Sequence, residues 1–370
     1  MPRSTCKCRA GMHVHLLDPS ADVLPYDHAL AGALARRGTE VELLTSRFVH
    51  GPAPPPDGFV VDETFYRAAT RLGAGRPRLR RGLKGAEHVP GLLAYRRRAR
   101  DADLSHWQWL WLESLSTRLL PRGRPQVLTM HNVIRRERPA DGLLDAFDAV
   151  IVHTRRGAEL LGGGERVHVI PHGALEHLTR RPDERPLPPE LAQVEGPVVL
   201  YVGVVRDYKG VDVLVEAMHS VPDGELWVVG RPLGVSMERL RRLAPPGRVR
   251  FVDRYVADAE LPAFFRHANV LALPHRSVDV SGVLFAGLAF GKAMVLSDVG
   301  GFRELVEDTG AGRLVAPDDP EALGAAIAEL LADPSAREAL EERAAAAAAG
   351  RYSWDRIAER TLEVYRGVLA

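Results

Sequence analysis

The chain has 370 residues, more than a single hydrophobic core usually holds, so two domains are the default expectation. With 46% hydrophobic and 26% charged residues it reads as globular, and no apolar run approaches the roughly 20 residues that span a bilayer. A net charge of +1 excludes a general polyanion binder, so nucleic acid is not an expected partner.

The N-terminus is basic but has no apolar stretch, so no secretory signal is expected. Cys6 and Cys8 are too few for a zinc site and too close for an unstrained bridge, and they read as reduced, non-functional thiols of a cytoplasmic protein. Short apolar runs then alternate with helical patterns, which predicts parallel sheets covered by helices. Strands are expected at 12–17, 40–45, 104–109, 126–130, 149–152 and 167–170, with helices at 26–37, 92–100, 112–119 and 155–161. Ten cations and one acid, Glu87, fall between Arg71 and Arg100. That block is a candidate for peripheral contact with an anionic inner membrane face or an anionic acceptor; the plain alternative is a solvated charged face.

Four prolines, Pro182, Pro186, Pro188 and Pro189, interrupt the pattern and mark a linker. The expected domains are 1–185 and 186–352, with 353–370 a C-terminal helix packing back on the first. Alternation restarts with strands at 198–202, 225–229, 248–252, 270–273, 293–297 and 313–315. Helices are expected at 211–220, 237–243, 261–268, 283–290 and 321–332, and the alanine-rich 344–349 also reads as helix. Two such halves imply a cleft, with ligands outside the strand C-termini.

Gly203 closes the apolar run Val198–Val202, a loop carries Arg206 and Lys209, and Gly210 opens the next helical run. A strand, a cationic loop and a helix start form an anion seat. Lysine is scarce: only Lys7, Lys84, Lys209 and Lys292 occur, against 45 arginines, so a lysine beside a glycine reads as a phosphate ligand. The plain alternative is a βα turn with solvated charges. A second seat follows the run ending at Leu273, where Ser281 is an expected N-cap and Gly282 leaves the backbone open to a ligand, or simply a capped helix. Asp101-Ala-Asp103 imitates a metal-binding Asp-x-Asp but precedes a strand, so no metal ligand is expected.

These segments resemble the retaining glycosyltransferases of family 4. Gly203 to Gly210 is similar to that family's phosphate segment, and Pro274 through Gly301, with Glu304, to its donor-binding strand–helix–strand. The resemblance also runs through Ala33–Gly38, Thr129-Met-His-Asn132, Val169-Ile-Pro-His-Gly173 and Tyr352-Ser-Trp354, so it covers nearly the whole chain. It implies an α/β fold of the GT-B type, two Rossmann-like domains with parallel sheets facing across a cleft. The implied donor is a nucleotide diphosphate sugar, UDP- or GDP-linked, held without a bound cofactor or metal. The acceptor would be small and polar or lipid-linked. Arg206 and Lys209 would stabilise the leaving diphosphate, and His131 would hydrogen-bond a hydroxyl of the donor sugar. Gly203, Gly230, Phe251, Asp279, Ser281, Gly282, Val283 and Glu304 would bind the donor; Ser20, Asp22 and His172 would belong to the acceptor side or its loops.

Three departures from the family pattern stand out. Val278 and Ala286 occupy the places of two glutamates that usually touch the donor sugar and the ribose, with Asp279 one position away from the first. Ala21 and Asp22 replace a glycine pair after the first strand, and Arg206 lies three residues past Gly203 instead of directly after it. The expected function is retaining glycosyl transfer without a metal. The missing carboxylates motivate an alternative, a nucleotide-sugar binder with little or no transferase activity; an epimerase or phosphorylase of the same fold is a third reading.

Overall fold

The computed structural model describes residues 11–49, 53, 55–72, 76–133 and 142–370, so Cys6 and Cys8 lie outside the described residues. The chain divides into two units. The first takes the chain up to His153 with Gly157–Ile170 and Trp354–Ala370; the second takes Thr154–Arg156 and Pro171–Ser353. The division at Ile170 precedes the proline-rich linker expected at 181–189. Leu178 and Leu191, which flank that stretch, both pack into the core of the second unit.

The first unit runs β1 (His13–Asp18), α1 (Leu24–Arg36), β2 (Glu40–Thr45), β3 (Val60–Asp62), α2 (Arg67–Arg71), α3 (Pro77–Arg98), β4 (Leu104–Trp107), α4 (Glu113–Arg118), β5 (Gln126–Met130), β6 (Ala149–Val152), α5 (Arg155–Leu160) and β7 (Val167–Val169). The second runs α6 (Pro189–Ala192), β8 (Val198–Val202), α7 (Val211–Ala217), β9 (Glu225–Val229), α8 (Met237–Leu243), β10 (Val249–Val252), α9 (Leu261–His267), β11 (Val270–Leu273), α10 (Gly282–Ala289), β12 (Ala293–Ser297), α11 (Gly300–Thr309), β13 (Arg313–Val315), α12 (Pro320–Ala332) and α13 (Pro334–Ala349). The last helix, α14 (Trp354–Leu369), belongs to the first unit.

Both sheets are parallel. Their orders are β3-β2-β1-β4-β5-β6-β7 and β10-β9-β8-β11-β12-β13. Helices cover both faces, which is why β5, β6, β8, β11 and β12 are buried throughout, and why β6, β8 and β11 read as unbroken apolar runs. In α14 the buried Trp354, Ile357, Ala358, Leu362 and Tyr365 recur at helical spacing and join Val14, Leu16 and Leu30 in one core of the first unit. Strand order reverses between β1 and β4 in the first unit and between β8 and β11 in the second, and crevices at such reversals are where open α/β sheets bind ligands.

Several elements depart from the sequence reading, three of them for identifiable reasons. β3 has three residues, and its Val60 is exposed, so it carries no alternation. Helix α3 starts fifteen residues before the expected 92 because Gly82, Gly85, Pro90 and Gly91 blur its period. Helix α11 opens on two glycines, Gly300 and Gly301. Of the cationic block, Arg98 and Lys84 turn inward to protein partners, while Arg78, Arg81, Arg97 and Arg100 are exposed. No helix among the described residues is long and apolar enough to cross a membrane.

Candidate functional site

In the second unit the strand ends at the β8/β11 reversal build one seat. After β8, Gly203 has φ 128, and after β9, Gly230 has φ 141. Their backbones are in direct contact: a Cβ on Gly230 would lie 2.0 Å from the Gly203 carbonyl oxygen. A Cβ on Gly203 would in turn lie 3.5 Å from Lys209 Nζ and 3.5 Å from Val283 Cγ2, so the loop cation and the first turn of α10 meet over one glycine. Ser281 occupies the N-cap position of α10, yet its buried hydroxyl makes no capping hydrogen bond, contrary to the expected capped helix. No side chain therefore takes the first N–H groups of α10, and nothing stands within 4 Å of a Cβ at Gly282. Such a helix start favours an anion.

The loop that carries the cations is pinned from behind. Arg276 donates to both carboxylate oxygens of Asp212 at 3.0 Å and to Asp318 at 2.6 Å, and its backbone N–H donates to the Tyr208 carbonyl at 2.8 Å. These hydrogen bonds raise the Arg276 pKa. Gly210 opens α7 as expected and is also a packing position: at φ 63, a Cβ there would sit 1.9 Å from the Pro274 carbonyl oxygen. The Arg206 guanidinium is partly exposed and makes no hydrogen bond or ion pair with other described residues. His275, which follows Pro274, is 1% exposed, and burial followed by the Lys209 charge pushes its pKa down to about 3.

Below this seat a cavity of about 190 Å³ is lined by Gly203, Gly230, Gly282 and Val283 and by apolar side chains that include Ala286 and Phe265; Arg231 and Tyr255 are its polar side chains. Four of the expected donor residues thus line one cavity, with Ser281 beside them. Three do not. Phe251 lies under Arg241, with the guanidinium 5.5 Å from its ring centroid. Asp279 is buried and accepts from Thr154 Oγ1 at 2.9 Å. Glu304 accepts from the backbone N–H groups of Arg155 and Arg156, also of the second unit, at 2.7 and 2.8 Å. His172 stacks on Phe285 at 4.5 Å and is absent from the lining.

In the first unit the β1–α1 loop gathers Asp18, Ser20 and Asp22. Asp18 is buried and accepts from the Val23 N–H at 2.9 Å, and burial raises its pKa to about 6. Ser20 Oγ accepts from Lys84 Nζ at 2.7 Å; the ammonium lies 5.0 Å from the Tyr66 ring centroid and 4.9 Å from that of Trp111. Burial lowers the Lys84 pKa. Asp22 is exposed. Ala21, in place of a family glycine, keeps the left-handed backbone a glycine would take, at φ 53.

Gln108, His131 and His153 each follow the end of one of the adjacent strands β4, β5 and β6. His153 Nδ1 lies 2.9 Å from the Ile170 carbonyl, which can only accept, so that nitrogen donates. A neutral His153 then accepts at Nε2 from His131 Nδ1, 3.0 Å away, and His131 Nε2 faces the Gln108 side-chain amide at 3.0 Å. Gln108 and His153 were missed in the sequence because sheet order, not spacing, makes them neighbours. The scarcity of lysine was the one signal for Lys84.

The family model for Glycosyltransferase Family 4 matches residues 26–174, and that for Glycosyl transferases group 1 matches residues 196–333. A D-inositol 3-phosphate glycosyltransferase of Xylanimonas cellulosilytica is 30% identical over 404 aligned positions, which cover 96% of this chain and 91% of the relative. Among solved structures, the sucrose-phosphate synthase of Thermosynechococcus elongatus is similar with a TM-score of 0.72 at 22% identity, over 96% of this chain and 99% of the other. HepE of Anabaena, solved in complex with UDP-glucose, is similar with a TM-score of 0.69 at 19% identity, over 96% of this chain and 100% of the other. At such identities these two structures speak for the fold alone.

Proposed function

The chain belongs to glycosyltransferase family 4 and has the GT-B fold, and on that premise we propose that it moves a sugar from a nucleotide diphosphate sugar to an acceptor hydroxyl, with retention and without a metal at the diphosphate. The observation that carries this reading is the meeting of Lys209 Nζ and the uncapped start of α10 over Gly203. A diphosphate there has a cation on one side and backbone N–H groups on the other, with the nucleoside in the cavity below. UDP- or GDP-sugars are the proposed donors; HepE, of the same fold, was solved with UDP-glucose.

In the proposed step the bond from the anomeric carbon to the diphosphate oxygen breaks, and the acceptor oxygen bonds to the same face. The acceptor proton passes to an oxygen of the leaving diphosphate. Charge grows on the diphosphate, so Lys209, Arg206 and the α10 N–H groups act where the transition state most needs them. No protein nucleophile is required. His131 would bind a sugar hydroxyl in exchange for its Gln108 contact.

The acceptor is assigned to the β1–α1 loop with Ser20, Asp22 and Lys84. Partial desolvation makes Lys84 a strong partner for an anionic acceptor, small or lipid-linked. The relative from Xylanimonas is named for an acceptor of that charge. The exposed Arg78, Arg81, Arg97 and Arg100 support peripheral contact of a cytoplasmic protein with anionic membrane. Calorimetric titration with UDP and GDP, followed by a transfer assay with the matching sugars, tests the donor assignment. Lys209→Ala and Arg206→Ala should each weaken nucleotide binding by roughly ten-fold or more, the scale of a lost charge-assisted hydrogen bond. Wild-type transfer in both variants would remove the donor site from this place. Tight nucleotide binding without transfer to any acceptor would favour the binder reading.

A further inference from the structure

The face of β1 under α3 carries polar groups that the transfer reaction does not use. Alternation along the strand puts His13 and His15 on one face, and the parallel register sets Glu42 of β2 opposite His15. Both imidazoles are buried, at 6% and 0% exposure, with ring centroids 5.0 Å apart, and Tyr95 of α3 packs against His15. His15 Nε2 is 3.2 Å from Glu42 Oε2, and one ligand atom from each of the three residues lies within 4.8 Å of the other two. A tetrahedral zinc ion with bonds of about 2.0–2.2 Å holds its ligands roughly 3.3 Å apart, so small side-chain rotations close the set.

Hydrogen bonds from the surroundings orient these groups, as partners behind a metal ligand do. His13 Nδ1 lies 2.7 Å from the Asp101 carbonyl, which only accepts, so the ring proton sits on Nδ1 and the lone pair on Nε2. Arg98 holds Glu42 by Oε1 and reaches Asp62 as well, which fixes the carboxylate and leaves Oε2 toward His15. Asp103 accepts from the His13 backbone N–H at 2.8 Å and steadies the strand start.

We propose that His13, His15 and Glu42 bind one divalent transition-metal ion, zinc by preference, with water in the fourth position. The Glu42 side chain is 17% exposed and gives solvent a way in. The site stands at the opposite end of β1 from Asp18 and the β1–α1 loop, so the ion ties β1 to β2, and through Arg98 to α3, and takes no part in transfer.

The test is a metal titration of the full chain, stripped with a chelator and kept near pH 7.5. Zinc should bind at about one ion per chain and raise Tm, and cobalt should give the visible bands of a tetrahedral site. His13→Ala and Glu42→Gln should each weaken binding by roughly ten-fold or more, with UDP binding unchanged. Cys6→Ser/Cys8→Ser should bind as the parent does. Three outcomes overturn the proposal: no zinc retained by the parent chain, unchanged affinity in the His13 and Glu42 variants, or affinity lost only in the cysteine variant. Should His13→Ala fail to fold, Glu42→Gln alone decides.

Discussion

A Cβ on Gly230 would lie 2.0 Å from the carbonyl oxygen of Gly203, so the ends of β9 and β8 touch backbone to backbone beside the cavity. The contact is held by ladder bonds that continue past both strands, from Gly203 N–H to the Val229 carbonyl and from Gly230 N–H to the Val252 carbonyl, each at 2.9 Å. Gly230→Ala would force the two strand ends apart, and the new side chain would carry a φ of 141. Left-handed strain and overpacking each cost about 1–3 kcal/mol, so a stability loss of about 3 kcal/mol or more is expected. Because Gly203 lies under the diphosphate seat, UDP affinity should fall as well. Calorimetric unfolding and UDP titration check both; an unchanged Tm would refute the contact.

Arg276 offers a second lever on the same loop. Burial alone would raise the Asp212 pKa, but the Arg276 hydrogen bonds and charge bring it below its ordinary value, so the pair is favourable as charged groups. Arg276→Ala leaves Asp212 without its bidentate partner and frees the turn that presents Lys209. The expected loss is about 1.5–3 kcal/mol of stability, with weaker nucleotide binding. Arg276→Lys should recover part of the stability but not the fork geometry. If UDP affinity stays at the parent level while Tm drops, the loop does not depend on this clamp.

How far the residues alone disclosed this site follows from what spacing can encode. The apolar runs of β8, β9, β11 and β12 were legible because both faces are buried, and Gly203 and Lys209 because a glycine after a strand and a rare lysine are local signals. Glu304 sits at a position the family motif would assign to the donor, and Asp279 one place from another, yet position does not set side-chain direction; Asp279 points to Thr154, and Glu304 accepts from the Arg155 and Arg156 N–H groups. Arg276 was unreadable because its partners lie 64 and 42 residues away. Ser281 is the converse case: it takes the predicted N-cap place without making the predicted bond.

Ala21 tests how much of the family's glycine requirement survives. Its backbone is left-handed, at φ 53, and its methyl is buried at 5% exposure. Ala21→Gly would relieve about 1–2 kcal/mol of strain but give up about 0.8 kcal/mol for the methyl and about 0.5–1 kcal/mol of unfolded-state entropy. These terms nearly cancel, so the change in stability should stay within about 0.5 kcal/mol. Ala21→Val combines a β-branched residue at positive φ with overpacking and should cost about 2 kcal/mol or more. Urea midpoints of the two variants check the ordering. A valine variant as stable as the parent would mean that this turn is not constrained as described.

Acid should destabilise the protein through its buried histidines. His106 is fully buried between the Tyr365 hydroxyl at 2.6 Å and Thr129 Oγ1 at 2.7 Å, and burial lowers its pKa from 6.5 to about 3. In the unfolded chain it takes a proton near 6.5, whereas the folded chain refuses that proton until about pH 3. Its contribution is therefore complete above 6.5 and is lost as pH falls through that window, on the order of 5 kcal/mol over the whole range. His275, also lowered to about 3, acts in the same direction. Asp18 acts the other way: with its pKa raised from 3.8 to about 6, its contribution is complete below 3.8 and is lost as pH rises through 6. Asp27, whose pKa burial raises well above its ordinary value, acts as Asp18 does, so the histidine contribution is isolated with a variant. His106→Gln can keep both hydrogen bonds but cannot titrate. Its urea midpoint should lie below the parent's at neutral pH and change less between about pH 7 and pH 4. Parallel pH profiles for parent and variant would show that His106 is not the group that carries the acid loss.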